Sequence, residues 1–389
     1  MPRSVFASVE KSVAESVFHV LKEDVVSPDA FPPYTRSTVD GYALQAEDVY
    51  CASASLPAFL RVKGRVMMGE TPSCALQKGE AVAIPTGGLL PVGANAVVMV
   101  EHAEQLSDEI AVYAPVKQGE NVVFRGEEVE QGDVIARGGD VVSPLMAGVF
   151  ASVGVEKINV YGKIKVAVLS TGDELVDVAE KAENGKIRDV NTTYLTALLS
   201  ARGYDVKSKQ RVPDDEDLFR KALQSALQKA DIVLVSGGSS IGAKDLTEKI
   251  LSEGEVLLHG LALKPGKPTL IAKFGEKLVF GLPGNPFAAA CVFRIVCDDV
   301  VKRARGEKTV CLYAYAKINF PSGPGRTTIQ PVTVAFDGEK YLAEPVFLKS
   351  AHLYSALKAD GFVLLPEKAE GIYRGEKLRV FPFVGKDML

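Results

Sequence analysis

The chain has 389 residues, and because one domain usually holds about 100–200 residues, we expect two to four domains. Its 45 basic and 49 acidic residues give a net charge of −4, so the bulk charge offers no support for a nucleic-acid partner. Five cysteines without C-x-x-C spacing, and no run of roughly 20 apolar residues, predict a cytoplasmic protein without disulfides, a zinc site or a membrane partner.

The first 160 residues contain a helical pattern, an extended segment and a β-rich region, in that order. Valine and phenylalanine recur at helical spacing over residues 1–27, so we predict a helix there that ends near Ser27 and Pro28. Residues 31–44, FPPYTRSTVDGYAL, indicate an extended chain that leads into a turn. Short β-rich runs between residues 57 and 135 predict a small all-β domain, and residues 144–155 predict a short helix.

Residues 163–306 alternate between apolar strands and helices. Strands are predicted in KIKVAVLS, GYDV, ADIVLVSGG and KLVFGLPG, and helices in NTTYLTALLSARG, DEDLFRKALQSALQKA, KDLTEKILSEG and PFAAACVFRIVCDDVVKRARG. This alternation predicts a doubly wound, mostly parallel sheet. Residues 307–389 return to short strands and turns, which predict a small β-barrel or β-sandwich. The fold class is therefore α/β multidomain.

Unusual loops follow three of the predicted strands. They are LSTGDEL (169–175), which has adjacent carboxylates at Asp173 and Glu174, SGGSSIGAKD (236–245), and GLPGNP (281–286). The segment KPGKP (264–268) precedes the third loop and holds two lysines on a proline–glycine frame. Because ligands bind beyond the carboxyl ends of the strands in an open parallel sheet, we expect these segments to form one site.

The segments combine anion-binding groups with acids. Backbone amides of residues 237–242 and the helix that follows can receive an oxyanion, and Lys264 and Lys267 add positive charge. Nearby acids would repel that anion unless a divalent cation lay between them. Mg²⁺ is the expected ion, because it takes carboxylate oxygens and shares the oxygens of a bound oxyanion. The predicted metal ligands are Glu174, Asp214 and Asp245.

Each segment also has a purely structural interpretation, which the sequence leaves open. The glycine loop can merely close a strand–helix unit, and Asp245 can cap the helix that begins there. GLPGNP can be a helix entry with Pro286 at the first helical position, and KPGKP can be a surface turn. The four histidines are scattered, and no Walker lysine follows the glycines. ATP hydrolysis of the P-loop kind is therefore not expected.

The motifs taken together resemble a known family. They are, in chain order, PPYTRSTVDGYAL, IPTGGLLPVGANAVVMVE, RGEEV, LSTGDEL, DVNTTYL, VSGGSSIGAKD, LALKPGKP and GLPGNP. In order and spacing this set is similar to that of the MoeA-type molybdopterin molybdenumtransferases, which the E domain of gephyrin also represents. The resemblance runs from about residue 5 to residue 385.

The resemblance implies an activity and a domain plan. The activity is insertion of molybdenum from molybdate into adenylylated molybdopterin, with release of AMP and a requirement for Mg²⁺ or a similar divalent ion. The protein would be an elongated homodimer, in which the DGYA and PTG loops of one subunit face the doubly wound domain of the other. A molybdopterin adenylyltransferase is the expected upstream partner. The expected domains are residues 1–30 with 125–160, an inserted β-rich domain 31–124, the doubly wound domain 161–306 and a C-terminal β-barrel 307–389.

The resemblance also carries site residues over, motif by motif. The expected catalytic residues are Asp40 of DGYA, Thr86 of the PTG loop, Glu174, Asp214 and Asp245. The expected substrate-binding residues are Gly237, Gly238, Ser239, Ser240, Gly242, Asp189, Asn191, Lys264, Lys267, Pro283, Asn285, Arg326 and Ser350. The glycine-loop amides and the two lysines would hold the pyrophosphate of the substrate. Asp40, Thr86 and Arg326 would contact the molybdate and the dithiolene part of the substrate.

The sequence departs from the family pattern at two positions and leaves other functions open. Val39 replaces the usual methionine before DGYA, and Gly260 stands where some members have a lysine, so one anion contact is missing or supplied elsewhere. A tungstate-preferring insertase and an inactive molybdopterin-binding scaffold are alternatives, although the intact acids count against a scaffold. A generic nucleotide- or sugar-phosphate-binding enzyme would leave the β-rich domain with its DGYA loop unexplained.

Overall fold

We describe the fold from a computed structural model, which covers residues 2–237, 241–308, 311–323, 325–347 and 353–383. The part of the chain up to residue 161 is built mainly from strands. In chain order these are β1 (Ser8–Ser12), β2 (Val25–Val26), β3 (Arg36–Ser37), β4 (Gly41–Leu44), β5 (Ala58–Arg65), β6 (Glu80–Ile84), β7 (Ala96–Met99), β8 (Ala103–Leu106), β9 (Glu109–Val112), β10 (Val122–Val123), β11 (Val134–Ala136) and β12 (Lys157–Tyr161). The helix α1 covers Pro144–Ser152, and short 3₁₀ helices cover Arg3–Phe6, Ala14–Ser16, Ala46–Asp48 and Val100–His102.

The two ends of this region pair with each other. Strand β1 runs antiparallel to β12, with Val9 opposite Val160, and β2 runs antiparallel to β11. Leu21 and Phe150 are fully buried in the core that these strands share with α1. The intervening chain forms a separate six-stranded sheet in the order β7-β4-β6-β5-β9-β8. The strands predicted between residues 57 and 135 are therefore confirmed.

The helix predicted over residues 1–27 is wrong. That segment forms two short 3₁₀ helices together with β1 and β2. Phe18 has a φ of +66°, which lies outside the right-handed helical region. Its valines are β-branched and favour strands, and β1 takes its hydrogen bonds from β12 at the far end of the region. A local spacing pattern could not reveal that distant partner.

The middle of the chain alternates strands and helices. Its strands are β13 (Lys165–Thr171), β14 (Leu175–Val176), β15 (Ile187–Arg188), β16 (Asp205–Val212), β17 (Ile232–Gly237), β18 (Glu255–His259), β19 (Leu263–Lys264), β20 (Leu270–Phe274) and β21 (Lys277–Leu282). Its helices are α2 (Val190–Ala201), α3 (Glu216–Lys229), α4 (Ile241–Leu251), α5 (Pro286–Val292) and α6 (Asp299–Ala304), with a π-helical turn at Phe293–Asp298 between the last two.

The main sheet of this region has the order β16-β13-β17-β21-β20-β18. The first four strands are parallel, and β20 and β18 are antiparallel additions. Helices α2 and α5 pack on one face through Leu195 and Phe287, and α3 and α4 pack on the other through Phe219 and Leu251. The doubly wound, mostly parallel sheet is therefore confirmed. Strand β18 escaped prediction because its EVLLH sequence is largely exposed and does not alternate.

The last part of the chain closes into a barrel. Its elements are β22 (Leu312–Ala316), β23 (Phe320–Pro321), β24 (Thr327–Phe336), β25 (Tyr341–Pro345), α7 (Leu353–Ala356), β26 (Gly361–Leu365), β27 (Gly371–Ile372) and β28 (Lys377–Pro382). The sheet order is β19-β24-β25-β22-β28-β26, and an additional pairing of β24 with β26 closes it. The barrel is thus confirmed over the sandwich. In the described part of the chain, no helix is long and apolar enough to cross a membrane.

Candidate active site

Strands β13, β17 and β21 end side by side at the carboxyl edge of the main sheet. The strand register places Thr171 opposite Gly237 and Ser236 opposite Leu282, so the loops predicted to form one site leave from neighbouring strand ends. Among the described residues, four buried polar atoms in the loops and helix starts beyond this edge have no hydrogen-bond partner: Thr171 Oγ1, Asn191 Oδ1, Asp214 Oδ1 and Asn285 Oδ1. An unpaired buried polar atom costs about 1–3 kcal/mol. These atoms are therefore available to a ligand.

Two glycines allow the loops at this edge to approach one another closely. Gly237 has a φ of +151°, and a Cβ atom there would lie 2.1 Å from the hydroxyl oxygen of Thr171. Gly172 has a φ of +148°, and a Cβ atom there would lie 2.5 Å from the carboxylate of Glu174, which folds back over the loop. The backbone angle favours glycine at both positions, and at Gly237 the close approach to the Thr171 backbone also requires it.

Asp189 and Asn191 fix the start of helix α2. Asp189 is the N-cap of α2, and its Oδ1 accepts hydrogen bonds from the Thr192 amide and the Ser170 hydroxyl, each at 3.0 Å. Asn191 Nδ2 donates to Ser236 Oγ at 2.5 Å and to the Gly284 carbonyl at 2.7 Å. The D-x-N motif therefore ties three neighbouring loops together. Its remaining unpaired acceptor is the side-chain oxygen of Asn191.

Three carboxylates meet where the TGDEL loop approaches the loop before α3. The backbone amide of Asp214 donates to Asp173 Oδ1 at 3.1 Å. Burial raises the pKa of the Asp214 carboxyl, a backbone hydrogen bond from Asp173 partly opposes this, and the negative charges of Asp173 and Glu174 raise the pKa further. The next residue, Asp215, caps α3 by accepting from the Leu218 amide at 2.8 Å. Asp214 is thus the acid of this pair that is left free for chemistry.

Asp245 lies within α4 rather than at its cap. The helix begins at Ile241, and since an N-cap precedes the first helical residue, the interpretation of Asp245 as the cap is wrong. Its side chain is exposed. Within the described ranges, no group of three or more His, Cys, Asp or Glu side chains is arranged to hold a metal ion. The metal set of Glu174, Asp214 and Asp245 is not preassembled and stays a prediction.

A cavity of about 340 Å³ lies beside the carboxyl edge. Its walls include Gly237, four residues of the turn that carries KPGKP (Pro265, Gly266, Pro268 and Thr269), and the GLPGNP loop with Pro283 and Asn285. Lys264 and Lys267 flank Pro265 and Gly266, and both lysine side chains are exposed. Gly266 has a φ of +134°, and a Cβ atom there would lie 2.8 Å from Val292 of α5, so this turn packs tightly against the helix. The structure thereby brings KPGKP and GLPGNP together around one cavity.

Asp40 and Thr86 lie together in loops at one end of β4 and β6, in the six-stranded sheet region of the earlier part of the chain. Asp40 Oδ1 accepts hydrogen bonds from the Thr86 amide at 2.7 Å and from the Thr86 hydroxyl at 3.2 Å. The Asp40 carbonyl accepts from the Val100 amide at 3.1 Å. The DGYA and PTG loops are therefore joined by direct contacts, as a functional pair would be. They belong to a different sheet from the acids of the TGDEL loop.

The other predicted site residues have mixed outcomes. Arg326 is exposed immediately before β24, and Gly242 belongs to α4. Four residues lie outside the described part of the chain: Gly238, Ser239, Ser240 and Ser350. Sequence reasoning missed the hydroxyl groups of Ser170, Thr171 and Ser236, which are all buried at the ends of β13 and β17. Polar residues at the end of an otherwise apolar strand were the available signal.

The class of protein follows from this architecture and one comparison. Residues 167–303, which hold the doubly wound sheet, match the family described as a probable molybdopterin binding domain. The flanking parts match the MoeA N-terminal region (domain I and II) over residues 3–154 and the MoeA C-terminal region (domain IV) over residues 313–383. The chain belongs to the MoeA family of molybdopterin molybdenumtransferases, so the resemblance carried by the motifs is confirmed.

Relatives and solved structures agree with this assignment. A molybdopterin molybdenumtransferase from Haemophilus influenzae is 31% identical over 380 residues, which cover 96% of this chain and 93% of that protein. A molybdopterin molybdenumtransferase from Staphylococcus aureus is 30% identical over 392 residues, which cover 97% of this chain and 92% of that protein. The crystal structure of a molybdopterin biosynthesis MoeA protein from Pyrococcus horikoshii superposes with a TM-score of 0.85 at 30% identity, covering 97% of this chain and 95% of that one.

Proposed function

We propose that this protein inserts molybdenum from molybdate into adenylylated molybdopterin and releases AMP, with Mg²⁺ as the required cation. The observation that carries the proposal is the unpaired Asp214 Oδ1 beside the carboxylates of Asp173 and Glu174, at the sheet edge that also carries the molybdopterin-binding match. Three acids without a cation repel one another, and they would repel an anionic substrate as well. The presence of these three acids beside the proposed substrate site therefore supports a cation-dependent reaction.

The residues present fit a divalent cation. Glu174 and Asp214 supply carboxylate oxygens, which are the ligands that Mg²⁺ prefers. Burial raises the pKa of Asp214, and the charges of Asp173 and Glu174 raise it further, so a cation would favour the ionised form of this carboxyl. Asp245 on α4 is the third proposed ligand. When bound, Mg²⁺ would neutralise charge on the phosphate oxygens and make a bound water more acidic.

The protein's own groups would bind and orient the substrate. We assign the ammonium groups of Lys264 and Lys267 to the pyrophosphate, because both side chains are exposed on the turn whose Pro265, Gly266 and Pro268 line the cavity. The unpaired oxygens of Asn191 and Asn285 would accept hydrogen bonds from donor groups of the substrate. In cleavage of the phosphoanhydride, a water oxygen would attack the AMP phosphorus and lose its proton to solvent, the bond to the bridging oxygen would break, and that oxygen would stay with the pterin phosphate.

The remaining parts of the proposal concern assembly. A homodimer would let the Asp40–Thr86 pair of one subunit face the doubly wound domain of the other, and these two residues with Arg326 would serve the molybdate and dithiolene side. The domain bounds 1–30 with 125–160, 31–124, 161–306 and 307–389 belong to the same proposal. The same proposal includes a cytoplasmic location and a molybdopterin adenylyltransferase as the upstream partner. It also includes substrate-binding roles for the glycine loop from Gly237 to Gly242 and for Ser350.

Purified protein incubated with adenylylated molybdopterin, Mg²⁺ and molybdate should release AMP and yield active molybdenum cofactor. AMP is measured by chromatography and cofactor by reconstitution of a molybdenum-free apoenzyme. Omission of Mg²⁺ or of the oxyanion should abolish both signals, and a parallel reaction with tungstate measures the oxyanion preference. Absence of AMP with both oxyanions would contradict the proposed activity and favour a binding scaffold.

A further inference from the structure

Lys186 lies next to the TGDEL loop although no motif includes it. It precedes β15, which pairs in parallel with β14 to form a short two-stranded ribbon. The ribbon is fixed to the loop by hydrogen bonds from the Ile187 amide to the Glu174 carbonyl at 2.8 Å and from the Asp189 amide to the Val176 carbonyl at 2.9 Å. The backbone of Lys186 is therefore held beside the cluster of acids.

The side chain of Lys186 turns toward the same loop. Its ammonium donates a hydrogen bond to the Asp173 carbonyl oxygen at 2.6 Å. The carboxylate of Asp173 in turn accepts from the Asp214 amide at 3.1 Å. Asp173 thus holds the ammonium through its carbonyl and the Asp214 backbone through its side chain. The ammonium of Lys186 therefore contacts the residue that directly precedes Glu174, one of the proposed metal ligands.

The ammonium retains donors for a ligand. An ammonium has three N–H donors, and a neutral carbonyl oxygen takes only one of them. Lys186 is exposed, so its other donors face solvent at the carboxyl edge. The two lysines already assigned to the substrate, Lys264 and Lys267, come from a different segment around β19. Lys186 supplies positive charge from the ribbon instead.

We propose that Lys186 is a further substrate-binding residue, whose ammonium contacts an anionic oxygen of the phosphoanhydride in the adenylylated substrate. This inference rests on the proposed function, because it takes that phosphoanhydride as the ligand. It assigns an electrostatic contact and no bond-making step. A cation at this position would attract the anionic substrate, which the neighbouring acids repel. It would do so before Mg²⁺ binds and also while Mg²⁺ is shared between the acids and the substrate.

The test compares Lys186→Met with Lys181→Met in steady-state AMP release. Lys181 lies on the same segment, is 81% exposed through its side chain and pairs with Glu183, so it controls for loss of a positive charge nearby. Lys186→Met should raise the KM for adenylylated molybdopterin roughly 10-fold or more, since a hydrogen bond to a charged group is lost. The kcat and the half-saturating Mg²⁺ concentration should stay within about 2-fold of the wild type, and Lys186→Arg should restore most of the KM.

The outcomes separate this inference from the proposed function. An unchanged KM in Lys186→Met, or an equal rise in Lys181→Met, overturns the inference while wild-type AMP release upholds the proposed function. A shift in the half-saturating Mg²⁺ concentration with an unchanged KM also overturns it, because Lys186 would then only balance the carboxylates. No AMP release from the wild type overturns the proposed function itself. Thermal melts of the variants check that each one is folded.

Discussion

Asp214→Asn should reduce kcat/KM for AMP release at least about 100-fold while leaving the fold intact. Even groups that only support metal ligands are worth about 10–100-fold in metal affinity or activity, and Asp214 is proposed as a direct ligand. Asparagine keeps the size of the side chain and removes its negative charge. Burial of the Asp214 carboxylate, and then its repulsion with Asp173 and Glu174, raise its pKa; the substitution removes both costs, so stability should not fall. The measurement is AMP release over a range of Mg²⁺ concentrations.

The neighbouring acid provides the matched control. Asp215→Asn changes the same charge one residue later, where the side chain caps α3 through the Leu218 amide at 2.8 Å. Asparagine is as good an N-cap as aspartate, so this variant should keep near-normal activity and stability. Equal activity in the two variants would remove Asp214 from the catalytic assignment. Equal loss in both would point to a general effect of charge in this loop.

Asp298→Ala should destabilise the protein by about 3–5 kcal/mol, because it removes the buried carboxylate that pairs with the partly buried guanidinium of Arg202. The Asp298 carboxylate is 2% exposed and accepts from Arg202 Nη2 at 2.6 Å and from the Tyr204 hydroxyl at 3.1 Å. Positive charge is already crowded here, since burial and then the charge of Arg202 lower the pKa values of both Arg294 and Lys302. Urea unfolding followed by circular dichroism measures the loss.

Asp299→Ala is the control for this prediction. Asp299 also pairs with an arginine, Arg303, at 2.6 Å, but the side chain of Arg303 is 78% exposed. Exposed pairs four residues apart on a helix are worth about 0.3–0.5 kcal/mol, so the midpoint of unfolding should hardly move. A small effect of Asp298→Ala, comparable to that of Asp299→Ala, would show that the buried network does not stabilise the fold.

The sequence predicts the doubly wound region well because its pattern is local. Apolar strands such as β13 and β17 are followed directly by helices with one apolar face, and each strand–helix unit can be recognised alone. The N-terminal segment is different, because β1 becomes a strand only by pairing with β12. The antiparallel strand β18 is likewise defined by its partner β20 rather than by its own composition.

The site is predictable only in part for a related reason. Motif residues such as Asp214 and Lys264 could be located by sequence, since loops at the carboxyl ends of parallel strands converge. The division of labour within a motif could not be predicted. Asp189 Oδ1 accepts from the Thr192 amide at the α2 cap and from the Ser170 hydroxyl, and Asp173 positions the backbone of Asp214. The contact of Lys186 with Asp173 depends on the ribbon of β14 and β15, which no motif specifies.

Strand β19 connects the C-terminal barrel to Lys264, one of the two lysines proposed to bind the substrate. Leu263 and Lys264 pair in parallel with Thr327 and Thr328 of β24, although they belong to the segment of the doubly wound sheet. If the barrel moved relative to the doubly wound sheet, Lys264 would move with it, and the distance between Lys264 and the cavity would change. Arg326, one residue before β24, would travel with the same strand. A displacement of the barrel relative to the doubly wound sheet would therefore move Lys264 and Arg326 together.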